Sequence, residues 1–363
     1  MNIFTKALRL APLSEDEALA IYERAPTDEL MELAAALRRQ HVPGNGVSWQ
    51  IDRNVNYTNV CISGCLFCNF HCKPHETDKS YTTTIEEYCE KIDELFAHGG
   101  DQLLLQGGLH PACGLAFYES LFRTLKTRYP TLKLHALGPP EVAHIARLEK
   151  CSYRETLQRL VAAGMDSLPG AGAEILVDRV RRTLSPAKPN AQAWLDVMRE
   201  AHRLSLTTSA TMLIGHIETA RERIQHLLKL RHLQNEKPAT AVGFLNFICW
   251  PVQANGTRLA QRYPLTPVTP VEYIRTIAIS RIVLNNIKNI QVSWLTVGRD
   301  TAQVCLHAGA NDMGSVMIEE NVLASAGVNY RMDAEGIQQT IREAGFTPWL
   351  RNQQYEPVMM VKG

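Results

Sequence analysis

The chain has 363 residues, of which 45% are hydrophobic and 21% charged, proportions ordinary for a globular protein that buries a large core. Its 38 basic and 37 acidic side chains nearly cancel, so no net field draws it to nucleic acid or to an anionic membrane. No stretch approaches the roughly 20 apolar residues that span a bilayer, and Met1-Asn2-Ile3-Phe4-Thr5-Lys6 leads into the acidic run Glu15-Asp16-Glu17 without the apolar core of a leader. The expectation is a cytoplasmic protein that does not insert into membranes.

Residues 13–40 read as two short helices. Ser14 followed by Glu17 forms a capping-box pattern, and Leu30, Leu33, Ala34 and Leu37 recur at helical spacing. His41-Val42-Pro43-Gly44-Asn45-Gly46 breaks the pattern. Short apolar runs then alternate with amphipathic segments. Strands are expected at 50–58, 102–105, 132–137, 165–168, 206–213, 241–249, 290–295 and 303–307. Helices are expected at 84–97, 114–128, 153–163, 191–204, 219–233 and 270–288. Strand–helix–strand alternation argues for parallel βαβ units. About eight of them predict an α/β chain folded as a (β/α)8 TIM-type barrel over 46–363 with a closing C-terminal segment, preceded by a helical N-terminal extension over 1–45.

The chemistry concentrates after the first expected strand, in Asn59-Val60-Cys61-Ile62-Ser63-Gly64-Cys65-Leu66-Phe67-Cys68-Asn69-Phe70. The nine cysteines are an odd number, and this tight cluster favours metal binding over disulfides. Three thiolates at these spacings can hold three irons of a [4Fe–4S] cluster and leave the fourth open to chelate a methionine moiety. Two other arrangements remain open: zinc completed by Cys72, His71 or His75, and a four-cysteine electron-transfer cluster completed by Cys72. Phe67 suits packing against a cluster or an adenine ring.

The CxxxCxΦC pattern, with Φ aromatic, resembles the hallmark of the radical S-adenosylmethionine superfamily. That resemblance implies S-adenosylmethionine as a second cofactor. Gln106-Gly107-Gly108 after the second strand resembles the segment that holds the methionyl amino group; glycines let backbone approach a ligand closely. Thr211-Met212-Leu213-Ile214-Gly215-His216-Ile217-Glu218 resembles the GxIxGxxE motif beside the adenine, with threonine at its first position. By the same resemblance Gly215 and Glu218 support the adenosine, Glu174 meets the ribose hydroxyls and Lys188 the methionine carboxylate. Cys72 is not expected to be a ligand.

Within the superfamily, Asp52-Arg53-Asn54-Val55-Asn56-Tyr57-Thr58-Asn59, Leu105-Gln106-Gly107-Gly108-Leu109-His110-Pro111 and Gly309-Ala310-Asn311-Asp312-Met313-Gly314-Ser315 resemble a group of barrel enzymes. It comprises the aminofutalosine synthases, the deazaflavin synthases and the cyclic dehypoxanthine futalosine synthases of menaquinone biosynthesis. The last are resembled most, through Ser48-Trp49, Gln291-Val292-Ser293-Trp294 and Met317-Ile318-Glu319-Glu320-Asn321-Val322. The resemblance implies a small-molecule substrate, dehypoxanthine futalosine, and an external electron donor such as flavodoxin or ferredoxin. His110 and His216, both after strands, are candidate proton acceptors. Arg53, Arg281 and Ser293 are candidates for a benzoate carboxylate, and Asn311, Asp312, Glu319 and Glu320 for sugar hydroxyls.

Overall fold

The computed structural model describes residues 2–325, 327 and 331–358. Three helices come first, α1 (Ile3–Leu8), α2 (Glu15–Arg24) and α3 (Thr27–His41). The capping box forms as its sequence predicts: Ser14 Oγ accepts from Glu17 N at 3.2 Å, and Glu17 Oε2 accepts from Ser14 N at 2.8 Å. Leu30, Leu33, Ala34 and Leu37 form the buried stripe of α3. This stripe covers the helix Pro270–Val283, which is buried nearly all round because it is sandwiched between α3 and the sheet. Tyr22 Oη lies 2.9 Å from Thr276 Oγ1 and accepts from Arg223 Nη1 at 2.9 Å, fastening α2 to the same layer.

The strands are β1 (Gly46–Gln50), β2 (Asp52–Asn56), β3 (Gln102–Gln106), β4 (Lys133–Ala136), β5 (Ser167–Leu168), β6 (Thr207–Ile214), β7 (Phe244–Pro251), β8 (Asn289–Val292), β9 (Asp312–Ser315) and β10 (Thr347–Leu350). Every pairing in the sheet is parallel. Helices such as Ile85–Ala97, Leu115–Arg128 and Ala191–Arg203 make the crossovers. Gln50, Asp52, Asn54 and Asn56 keep one inward alternation, and the sheet curls so that they share a cavity with residues of β3, β4, β6, β7, β8 and β9.

The closed eight-stranded barrel expected from the sequence is not what the hydrogen bonds draw. Their order is open: β10-β1-β9-β8-β7-β6-β5-β4-β3-β2. The strand expected over 50–58 is found as β2, and it is preceded across Ile51 by β1, a strand not expected from the sequence, which takes different partners. β1 is held by β9 and β10, β2 by β3. β10 fills the lower half of the edge that β3 takes above, and among the described residues no ladder joins β2 to β9.

The strand expected at 303–307 is instead the end of the helix Arg299–His307. Ala302, Cys305 and Leu306 are buried at helical spacing, and a short apolar run does not reveal its period. The strand in that place, β9, is Asp-Met-Gly-Ser, with little apolar signal.

Arg281 is a fold residue, contrary to its expected role with substrate. It is wholly buried; Nε donates to Gly309 O at 2.8 Å, Nη1 to Lys288 O at 2.9 Å and Nη2 to Asn311 Oδ1 at 2.7 Å. Burial, with the nearby charge of Arg38, pulls its pKa down to about 9. Arg281→Met leaves three buried acceptors without this donor, each worth about 1–3 kcal/mol. The expected outcome is a thermal midpoint lower by several degrees, read by circular dichroism. An unchanged midpoint would show that the acceptors find other partners.

Candidate active site

The cysteine loop leaves β2 and is fixed by neighbours rather than by regular structure. Cys61 N donates to Cys72 O at 2.9 Å and Cys72 N to Asn59 O at 2.8 Å. Leu66 is held on both sides, its N–H by Leu184 O at 2.8 Å and its carbonyl by Leu259 N at 2.9 Å. Gly64, at φ +60°, makes the reversal between the first two cysteines, and Arg258 Nη2 donates to its carbonyl at 2.7 Å. From the other side comes β3. A Cβ on Gly108 would lie 2.1 Å from Val60 O and 2.9 Å from Cys61 Cβ, so this backbone reaches the loop only because the residue is glycine. Leu109 N then points at Cys61 Sγ at 3.3 Å.

Cys61, Cys65 and Cys68 line one cavity of about 410 Å³, together with Phe67, Gln106, Gly107, Gly108, Glu174 and Lys188. Ser63 Oγ touches two of the sulfurs, Cys61 Sγ at 2.9 Å and Cys65 Sγ at 3.3 Å. Cys72 turns away, its Sγ 3.3 Å from both Lys73 O and Glu76 O. Among the described residues no three His, Cys, Asp or Glu side chains gather closely enough for a single metal ion. A cubane cluster takes one thiolate on each of three irons, so its protein ligands need not converge on a single point. The three open sulfurs on one cavity wall fit such a cluster.

Glu174, at φ +41° and 7% exposed, faces the same cavity. Lys188 Nζ donates to its Oε1 at 2.8 Å and stands 5.7 Å from the centre of the Phe67 ring. Oε2 accepts no hydrogen bond, although Arg181 Nη1 lies 3.5 Å away. Burial raises the Glu174 carboxyl, but Lys188 and Arg181 more than offset this and hold it below its usual range. Burial likewise lowers the Lys188 ammonium, and Cys65 and Glu174 more than restore it. An ionised carboxylate with an unsatisfied oxygen beside a buried cation suits a ligand carrying hydroxyls and a carboxylate.

Glu141 was not foreseen. It opens the helix Pro139–Glu149, lines the cavity, and its Oε2 has no partner. Burial pushes its carboxyl up to about 7, with Lys188 opposing and Glu174 assisting. The one signal in the sequence is Gly138-Pro139-Pro140-Glu141, a proline-opened helix that starts at a strand's C-terminal end.

Several expected residues lie elsewhere. His110 and His216 do not line the cavity. His110 Nδ1 accepts from Ala112 N at 3.0 Å, and His216 is enclosed with Nε2 2.9 Å from Leu213 O. Gly215 and Glu218 also stay outside. Glu218 staples the turn by accepting from Gly215 N at 2.7 Å and His216 N at 2.9 Å, and pairs with Arg223. Burial raises its carboxyl, but His216, Arg223 and these N–H groups bring it down to about 2.

Of the seven substrate candidates, Ser293 and Glu320 line the cavity. Arg53 faces outward and is held by Glu319 at 2.9 Å and by Glu94. Asn311 braces Arg281 and Ile290 N, and Asp312 accepts from Ser48 Oγ at 2.5 Å and Arg351 Nε at 2.6 Å. Arg53, Asn311 and Asp312 are consumed by packing because strand alternation or the register of β9 turns them from the interior, and Glu319, after β9, is held by Arg53 and Lys91.

A parallel α/β sheet with three open cysteines at the mouth of its cavity is the arrangement of radical S-adenosylmethionine proteins, and residues 55–230 match the radical SAM superfamily model. The fold resembles that of methylornithine synthase, with a TM-score of 0.72 and 17% identity over 96% of this chain and 97% of that one. It also resembles the [FeFe]-hydrogenase maturase HydG, with a TM-score of 0.72 and 15% identity over 96% and 74%. Residues 241–363 match the CofH/MqnC C-terminal region. The chain belongs to the CofH/MqnC family of radical SAM enzymes.

Its curated relatives include the cyclic dehypoxanthine futalosine synthase of Streptomyces coelicolor, 40% identical over 99% of this chain and 88% of that protein. The enzyme of the same name in Halalkalibacterium halodurans is 36% identical over 98% and 94%. The 5-amino-6-(D-ribitylamino)uracil–L-tyrosine 4-hydroxyphenyl transferase of Methanococcoides burtonii is 35% identical over 95% and 96%. A domain of this kind implies use of S-adenosylmethionine and a [4Fe–4S] cluster. Among the described residues no helix is long and apolar enough to cross a membrane.

Two outcomes follow from this geometry. Gly108→Ala drives a methyl into the Val60 carbonyl, and the cysteine loop must shift. Iron retained per chain after anaerobic reconstitution is expected to fall severalfold, and iron content equal to wild type would refute the clamp.

Glu141, with its folded pKa raised from 4.5 to about 7, binds more protons folded than unfolded across that window, so stability falls as pH rises through it. Glu141→Gln removes this slope. In ligand-free protein the variant should gain on the order of 3 kcal/mol relative to wild type between about pH 4.5 and pH 8, seen as converging then crossing melting curves.

Proposed function

We propose that the protein converts dehypoxanthine futalosine to cyclic dehypoxanthine futalosine, in the futalosine route to menaquinone. The observation that carries the chemistry is that Cys61, Cys65 and Cys68 share a wall of one cavity with Gln106-Gly107-Gly108 and the Glu174–Lys188 pair. The substrate rests on likeness at 40% and 36% identity, over nearly the whole chain, to two enzymes of that name.

Cys61, Cys65 and Cys68 would hold the cluster, which with S-adenosylmethionine supplies a 5′-deoxyadenosyl radical by reductive cleavage of the sulfonium. Leu109 N, aimed at Cys61 Sγ, would stabilise that ligand's negative charge. Gln106-Gly107-Gly108 would present backbone to the methionyl amino group, Lys188 would meet the methionine carboxylate, and the free Oε2 of Glu174 would accept from the ribose hydroxyls. Phe67 would bound this pocket on its apolar side.

The substrate occupies the remaining cavity, where Leu104, Leu213, Ile248, Trp250 and Met313 exclude water and offer few polar groups to a reactive carbon. Ring closure between the sugar carbon and the benzoate ring costs the substrate one hydrogen atom, taken by the 5′-deoxyadenosyl radical, and then one proton and one electron as the ring regains aromaticity. The electron would pass to the cluster oxidised in the cleavage or to the external electron carrier, and the proton needs an acceptor. With His110 and His216 outside the cavity, Glu141 is our choice of acceptor at Oε2, because that atom is unpartnered and its carboxyl exchanges a proton near neutrality.

The test is anaerobic reconstitution with iron and sulfide, reduction, and addition of S-adenosylmethionine with dehypoxanthine futalosine. The expected result is 5′-deoxyadenosine together with a product two hydrogens lighter than the substrate, both abolished by Cys65→Ala. L-Tyrosine with 5-amino-6-(D-ribitylamino)uracil should give no coupled product. Coupling of that pair with the first substrate untouched would move the reading to the transferase relatives.

A further inference from the structure

The end of the cavity opposite the cysteine loop is polar, and its partners are unevenly matched. Asp52 and Gln102 begin β2 and β3 and face each other in register, with Asn54 two residues farther up the same inward face. The segment after β10 turns beneath them and brings Arg351 and Gln353 to the cavity. Gln102 Nε2 donates to Asp52 Oδ2 at 3.2 Å, and Asn54 Nδ2 donates to Glu320 Oε2 at 2.9 Å. These carboxylates fix which way both amides point, since each requires a donor. Their oxygens, Gln102 Oε1 and Asn54 Oδ1, are therefore left as buried acceptors without partners. Gln353 is oriented the other way: Oε1 accepts from Gln354 Nε2 at 3.4 Å, and Nε2 is a buried donor without a partner. All three side chains are more than nine-tenths buried.

This pattern selects against an anion. Arg351 is already committed, with Nε donating to Asp312 Oδ2 at 2.6 Å and Nη1 to Gln50. Two carboxylates, Asp52 and Asp312, stand against that one guanidinium. A benzoate carboxylate placed here would find two carbonyl oxygens and repulsion. Three unpartnered acceptors, Gln102 Oε1, Asn54 Oδ1 and Asp52 Oδ1, with the Gln353 Nε2 donor and the Tyr355 hydroxyl on the same cavity, suit groups that both donate and accept, as adjacent hydroxyls do.

We propose that Gln102, Asn54 and Gln353 form the subsite for the hydroxyl groups of the substrate's pentose, with the segment after β10 supplying its base. The inference rests on the substrate reading above and orients that substrate: sugar hydroxyls toward the N-terminal ends of β2 and β3, and the carboxylate away from them. Gln102, Asn54 and Gln353 are positioning residues that touch no reacting atom.

The experiment measures equilibrium binding of dehypoxanthine futalosine, and of its 2-deoxy and 3-deoxy analogues, to the reconstituted holoenzyme carrying S-adenosylmethionine. Wild type is compared with Gln102→Met and Gln353→Met. The Gln353 amide donates to no protein atom, so its loss leaves the fold unburdened even if Gln102→Met disturbs Asp52. Each variant should bind the parent compound about three- to tenfold more weakly. One deoxy analogue should lose much less against the variant that removes its partner, and affinity for S-adenosylmethionine should not move. Unchanged affinity for the parent, or an equal loss for all three compounds, overturns the subsite. Wild type that binds none of them overturns the substrate reading and the subsite together.

Discussion

A loop carrying three cysteines, without helix or strand of its own, holds its shape only if something outside it is rigid. Here that is the backbone at the end of β3. Gly108 lies so close to Val60 and Cys61 that no Cβ fits between them, and Gly107 packs on the ring of Tyr57, where an added Cβ would come within 2.8 Å. Cys61 Sγ and Ile62 N then find their partners on Leu109, as acceptor of its N–H and donor to its carbonyl. The contact that fixes the sulfurs also brings Gln106-Gly107-Gly108 onto the wall they occupy. A cofactor-binding surface made from two consecutive βα loops is thus one packing event.

The charges around the cavity are arranged by the same economy. Lys188, Glu174 and Arg181 are buried close together, and the two cations hold the Glu174 carboxyl ionised against the cost of its burial. Glu218, Arg223 and His216 make a second group behind the turn after β6. Glu141, beside the first group, has no hydrogen-bonded partner for Oε2, and burial outweighs the opposing charge of Lys188 in its titration.

The cysteine spacing, Gln106-Gly107-Gly108 and the βα alternation are local patterns and could be read along the chain. The capping box at Ser14 was legible for the same reason. What failed depends on distant partners. Arg281 and Arg53 look like anion binders until Gly309, Asn311, Glu319 and Glu94 are seen to occupy them. His216 follows a strand as a cavity residue should, but the turn at Gly215 folds its ring back onto Leu213. The helix Arg299–His307 and the strand β9 exchanged their signals, since an apolar run marked the helix and polar residues the strand. β1 was missed because it carries no mark of its own in the sequence: inward alternation runs straight on from it into β2, and only the partners change.

The base of the cavity is contributed by β10 and the residues that follow it, after every other strand in chain order. Synthesis from the N-terminus therefore delivers the other strands first, before β10 can cover the β1 edge from Gly46 to Trp49 and before Arg351 can meet Asp312. Arg351 brings the missing charge and the missing strand together. A chain cut before Arg351 would keep β10 but lack the Arg351, Gln353 and Tyr355 side chains that line the cavity.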